Sequence, residues 1–230
     1  MIALIRYNFL DYTKSYKYVP PIAMYIISLL FVYAYTPNPI VTTYLETALT
    51  LYLLSAWITI TLFHTEDPVQ EQITLSHTKS IQALYLSKYV TVLLICSVLS
   101  LISVIYPIAF HMFNEKMTVS LFITGFLVHF SLSILGTSIT TLFTRNIIQK
   151  ASTAWLSLSF VLLITIASIR LKKDMPELLW FFPPINHFMM LGQHEHHLPV
   201  RVLWLTAWAL AYSVVLIGLF LSLVRKRRNM

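Results

Sequence analysis

From Tyr89 to Phe110 the chain runs 22 residues without a charge, "YVTVLLICSVLSLISVIYPIAF". A helix rises about 1.5 Å per residue and the hydrocarbon of a bilayer is about 30 Å thick, so about 20 apolar residues make one crossing. Comparable runs recur along the whole chain. Only 11% of the residues are charged and 57% are apolar, where a soluble domain carries about 25% charge. The mean hydropathy is +0.73. The sequence is that of an all-α integral membrane protein with several crossings.

Six spans are expected, near 19–36, 41–63, 84–112, 119–143, 152–170 and 202–224. No repeat, low-complexity tract or soluble domain interrupts them, so residues 1–230 read as one transmembrane domain. With the amino terminus inside, Arg6, Lys14, Lys17, Lys79, Lys88, Arg145, Lys150, Arg225, Lys226, Arg227 and Arg228 are inner, against Lys116, Arg170, Lys172, Lys173 and Arg201 outside. Eleven against five places both termini in the cytoplasm, because short loops retain Lys and Arg on that side. The net charge of +7 then reflects basic inner loops rather than nucleic-acid binding. The single cysteine, Cys96, permits no intrachain disulfide. Charges at Arg6, Asp11, Lys14 and Lys17 break any signal-peptide core.

Residues 1–18 stand apart. At about 100° per residue, Ile2, Ile5, Phe9, Tyr12 and Tyr16 share one stripe beside Arg6, Lys14 and Lys17, the pattern of a helix lying in the interface with its aromatics at the lipid boundary. Pro20 and Pro21 break that helix before the first span.

Between the second and third spans lies one compact polar insert, 64–83, containing "HTEDPVQEQITLSHTKSIQ". Asp67 suits an N-cap, Pro68 the first helical position and Gln70 a capping-box partner. A helix of about two turns over 67–75 follows, too short to span and, with Glu66, Asp67 and Glu71, repelled by anionic lipid. Its simplest use is to meet a cytosolic protein.

At these residues the chain resembles the transmembrane subunits of ABC-2 type ABC transporters. Such chains have an interfacial amino-terminal helix, six spans, a cytoplasmic coupling helix between spans two and three, and re-entrant helices outside between spans five and six. Their coupling region carries an acid, a Thr-Leu step and a lysine at the start of span three; here Glu71, Thr74, Leu75 and Lys88 stand in those places, with Ile73 where a glycine is usual. The resemblance implies that Asp67, Glu71, Ile73, Thr74 and Leu75, with Arg145 and Asn146 of the "TRNIIQK" loop, couple to a cytosolic ABC ATPase subunit. It implies a second transmembrane subunit, identical or not, and spans two and five lining the path. The segment "MPELLWFFPPINHFMMLG" within 171–201 matches the re-entrant outer gate, with Trp180, Phe181 and Phe182 at the interface belt.

Other features are weaker. No GxxxxGK[ST] loop surrounds Gly125, Gly136, Gly192 or Gly218, so the resemblance implies that ATP and Mg are held by a separate partner chain and that this chain is not itself an enzyme. His194-Glu195 is followed at i+4 by Leu198, which breaks the HExxH of a zinc protease; His194, His196 and His197 read as a hydrated outer loop. Ser133, Gly136, Thr137, Thr140 and Thr141 suit close helix packing. Glu46 is an acid about two turns into the second span, facing a path, a buried partner or the outer surface. His64 and His111 sit at span ends with no special role, and His129 reads as a packed, hydrogen-bonded histidine.

These readings converge on the membrane subunit of an exporter in the bacterial cell membrane. Small chains without soluble loops resemble permeases for bacteriocins, antimicrobial peptides and phenol-soluble modulins. An apolar, aromatic interior suits an amphipathic peptide and a lipophilic drug equally. A membrane enzyme lacks a convergent set of acids here, and a secondary carrier lacks paired broken spans.

Overall fold

The computed structural model describes residues 1–78, 80–171, 183–193 and 198–228. These form α1 (Ile2–Lys14), α2 (Val19–Val32), α3 (Ile40–Phe63), α4 (Pro68–His77), α5 (Ile81–Ala109), α6 (Val119–Thr141), α7 (Ala151–Leu171), α8 (Ile185–Met189) and α9 (Leu198–Arg228), with a short 3₁₀ turn at Leu191–Gln193. Among the described residues the only β pairing is one isolated bridge, Asn38 to Phe113.

Five helices, α3, α5, α6, α7 and α9, are long and apolar enough to cross a membrane, and α1 with α2 makes a sixth only if that bent pair counts as one span. The chain is a multi-pass membrane protein. The first expected span needs correction. Its helix ends at Val32, so it is only about 21 Å long. Pro37 and Pro39 then oppose helical continuation, and Asn38 pairs with the backbone of Met112 and Asn114. Pro20 and Pro21 open α2 rather than simply ending α1. The bend between the two helices is 79°, with Tyr16 at the corner in the left-handed region at φ 55°.

α1 is docked differently from its apolar stripe. Tyr12 is buried rather than facing lipid, and its hydroxyl meets Thr61 at 2.9 Å. Asn8 donates to Ser87 at 2.8 Å. The bundle satisfies the polar groups of α1, while Ile2, Phe9 and Tyr16 stay exposed.

α3 is the most buried span and packs against α2, α5 and α6. One core joins α3, α6, α7, α8 and α9 around Tyr52 and Leu132; a second joins α1, α2, α3, α5 and α9 around Tyr25 and Phe63. Several polar side chains inside the bundle are paired across helices, which lowers the cost of burying them. Tyr52 bonds Thr165 at 2.7 Å and Tyr89 bonds Ser138 at 2.7 Å. His129 is packed as expected: Nδ1 donates to the Gly125 carbonyl at 2.7 Å, and Nε2 lies 2.8 Å from Thr47 Oγ1.

The small residues of α6 let its backbone approach α3. Ser133, Gly136, Thr137, Thr140 and Thr141 are all buried, and a Cβ at Gly136 would collide with the Tyr52 carbonyl and Ser55 Oγ. Because one obstacle is backbone, the helices must part. Gly136→Ala is therefore expected to cost about 1–3 kcal/mol, read as earlier thermal unfolding in detergent. Gly218→Ala, where a Cβ meets nothing within 4 Å, should not lower the unfolding temperature, since alanine favours a helix over glycine.

Residues 183–193 return into the bundle after Pro183 and Pro184. Ile185, Phe188 and Leu191 join the α3–α6–α9 core, and Asn186 accepts from Ser168 at 3.1 Å. Trp180, Phe181 and Phe182 lie outside the described residues.

Candidate functional site

α1, α4, the 142–150 turn and the end of α9 gather at one end of the bundle, linked by side-chain bonds from Tyr7, Lys17, Arg145 and Arg227. This end carries most of the cations assigned above to the inner side.

α4 starts as its sequence predicts. Asp67 accepts from the Val69 N–H at 2.9 Å and Pro68 fills the first position. Gln70 does not complete a capping box; it lines a groove with Tyr7, Ile73 and Thr74 between α1 and α4. The helix runs to His77, and α5 restarts at Ser80, whose hydroxyl accepts from the Gln82 N–H at 3.2 Å.

Behind α4 lies a buried ionic cluster. Lys88, two turns into α5 and 1% exposed, lies 3.0 Å from Glu71 Oε1 and 3.2 Å from Glu66 Oε2. Arg145 reaches Glu71 Oε2 at 2.6 Å and the Glu66 carbonyl at 2.6 Å. Two acids thus face two cations with no net charge. Thr74 donates to Glu66 Oε1, as does Tyr7 at 3.1 Å. Lys88 also sits 5.7 Å from the centre of the Tyr85 ring, and Tyr85 donates to Asn146 Oδ1 at 3.0 Å. Arg227 donates to the Asn146 carbonyl at 2.8 Å, which ties in the end of α9.

Titration follows from these neighbours. Burial raises the Glu71 carboxyl, but Lys88 and Arg145 together outweigh it and hold the group below the usual range. Burial, with Arg145 and Lys17 nearby, pushes His64 down to about 4. The imidazole is therefore neutral near pH 7, and its Nε2 accepts from the Arg145 backbone N–H at 2.9 Å.

The structure divides the predicted coupling residues. Asp67 and Ile73 face outward, Leu75 is half-buried, and Thr74, Arg145 and Asn146 take part in the inward network. Glu71, expected to contact a partner, is only 6% exposed. Its carboxylate is held by Lys88 and Arg145, and the exposed apolar side chains of α4 are Val69 at 66% and Ile73 at 48%. His64, read as a plain span end, orders the Arg145 turn. Glu66 and Tyr7 were missed as members of the site. The signal was Lys88 itself, because a lysine that far into an apolar helix requires acids, and Glu66 and Glu71 are the nearest in sequence.

Glu46 lies apart on the exposed face of α3, and no partner holds its carboxylate among the described residues. Among those residues no group of three or more His, Cys, Asp or Glu side chains is placed to hold a metal ion. His194, His196 and His197 fall outside them. Comparison with protein-family models, curated proteins and solved structures finds no match to this chain.

Proposed function

We propose that the chain is the membrane-spanning subunit of an ATP-driven ABC exporter, coupled through α4 to a separate cytosolic ATPase. The observation that carries this reading is the two-sidedness of α4. Its inner side is fixed by Glu71 to α5 through Lys88 and to the α6–α7 turn through Arg145. Its outer side offers Val69 and Ile73 to solvent. A force applied to that outer side reaches α5 directly through Lys88, and α6 and α7 through the turn that joins them.

In this reading the basic end is cytoplasmic, in a bacterial cell membrane. ATP binding draws two motor subunits together, and α4 with the Arg145–Asn146 turn carries the movement into α5 and α6. Two transmembrane subunits form the path. The exposed face of α3, with Glu46, and that of α7, with Leu156, Phe160 and Leu163, suit its lining. Segment 175–192, including Trp180, Phe181 and Phe182, serves as the outer gate. The substrate class that suits an apolar, aromatic path is an amphipathic or antimicrobial peptide.

The test is assembly. Purified alone, this chain should hydrolyse no ATP. Co-expressed with the nucleotide-binding protein encoded beside it, it should yield a complex with vanadate-sensitive hydrolysis. Turnover by the chain alone, or failure to retain the ATPase, overturns the proposal.

A further inference from the structure

At the basic end, the first turn of α5 and the last turns of α9 leave a cleft of about 520 Å³, lined by Gln82, Gly218, Leu221, Ser222, Arg225 and Lys226. Its chemistry changes along its length. Gly218, Leu221 and Ser222 make an open floor, and Arg225 and Lys226 stand one turn further on, where α9 leaves the apolar region. On the same face of α9, Val214 and Val215 are 67% and 69% exposed. An uncovered apolar strip therefore runs into a cationic cleft.

The cations here differ from the other buried or bridging ones. Lys88 and Arg145 each have a carboxylate, and Arg227 holds the Asn146 carbonyl. Arg225 and Lys226 have no such partner among the described residues, and neither α5 nor α9 contains a single Asp or Glu. Among the described residues no carboxylate supplies the negative charge that would complete this site.

We propose that the α5–α9 cleft binds an anionic phospholipid, its phosphate between Arg225 and Lys226 and one acyl chain along Gly218 and the Val214–Val215 strip. Basic recesses between membrane helices favour anionic headgroups, and each cation near the surface adds to that attraction. Gly218 leaves the space that the upper acyl carbons fill. This inference rests on the chain being a membrane protein and stands independently of any ATPase.

The site can be tested by native mass spectrometry of the full chain released from detergent, with phosphatidylglycerol and phosphatidylcholine as probes. Phosphatidylglycerol should be retained selectively. Arg225→Gln with Lys226→Gln should weaken retention roughly 10- to 30-fold, whereas Lys14→Gln with Lys150→Gln, two exposed cations at the same end, should change it less than about 3-fold. Gly218→Leu should also weaken it with every charge in place. A Cβ there meets no protein atom within 4 Å and leucine favours a helix over glycine, so the unfolding temperature should not fall. Equal retention of both lipids, equal loss in the two charge variants, or no effect of Gly218→Leu would overturn the proposal. Competition by inorganic phosphate alone would reduce the site to a simple anion cleft and also overturn it. A change of oligomeric state in Gly218→Leu would assign the cleft to a second copy instead.

Discussion

Lys88→Met is expected to destabilise the basic end of the bundle by about 3–5 kcal/mol, the usual cost of leaving a buried charge without its partner. The lysine is 1% exposed and lies within 3.2 Å of both Glu66 and Glu71. Its removal leaves two buried carboxylates facing one guanidinium. Glu66 is then the more exposed to the loss, since Arg145 reaches its backbone carbonyl and not its carboxylate. Adding Glu66→Gln to Lys88→Met should therefore recover much of the stability. The Glu71–Arg145 pair at 2.6 Å remains neutral, and the amide oxygen still accepts from Tyr7 and Thr74. Thermal unfolding of both single variants and the double variant, in one detergent, measures this coupling as a double-mutant cycle. Losses that simply add would mean the two charges do not sense each other, and the cluster would not be a unit.

The membrane class was legible because hydrocarbon imposes a length and a composition that few other folds share. Helix starts were also legible where a side chain caps them: Asp67 at α4 is where its sequence puts it. The first span was overextended because hydropathy does not register where a chain turns, and the α2 helix stops at Val32. The apolar stripe of α1 points to lipid, but the placement of the helix is set by polar groups, Tyr7, Asn8 and Tyr12, that find partners on other elements. Those partners lie 49 to 79 residues away in sequence, beyond the reach of periodicity. The same distance hid the ionic cluster. Arg145 and Glu71 were both singled out, yet nothing local shows that they touch across 74 residues. Once paired, they no longer present charge to a partner, which moved the expected contact surface from Glu71 to the apolar side of α4.

Val69→Ala with Ile73→Ala is accordingly expected to detach the proposed ATPase while the bundle folds normally. Both side chains are largely exposed, at 66% and 48%, so truncation opens no cavity. Ile73 borders Tyr7 and Thr74 in the groove against α1, but neither Val69 nor Ile73 contributes a side-chain bond to the Lys88 cluster, which keeps its ion pairs. At an interface, an apolar anchor of this kind typically contributes about 1–2 kcal/mol or more. Two anchors should then weaken association by roughly 30-fold or more, and two copies of α4 per transporter would deepen the effect. Glu71→Gln provides the contrast. It should act through the cluster, lowering the unfolding temperature and disturbing coupling together, because Glu71 reaches a partner only by positioning α4. The readouts are ATPase pull-down, substrate-stimulated hydrolysis in reconstituted vesicles, and unfolding temperature. If the Val69–Ile73 variant binds and stimulates the ATPase like the unmodified chain, α4 is not the docking element. Its anchorage to α5 and the α6–α7 turn would then be only structural, and the ABC reading would lose the observation that carries it.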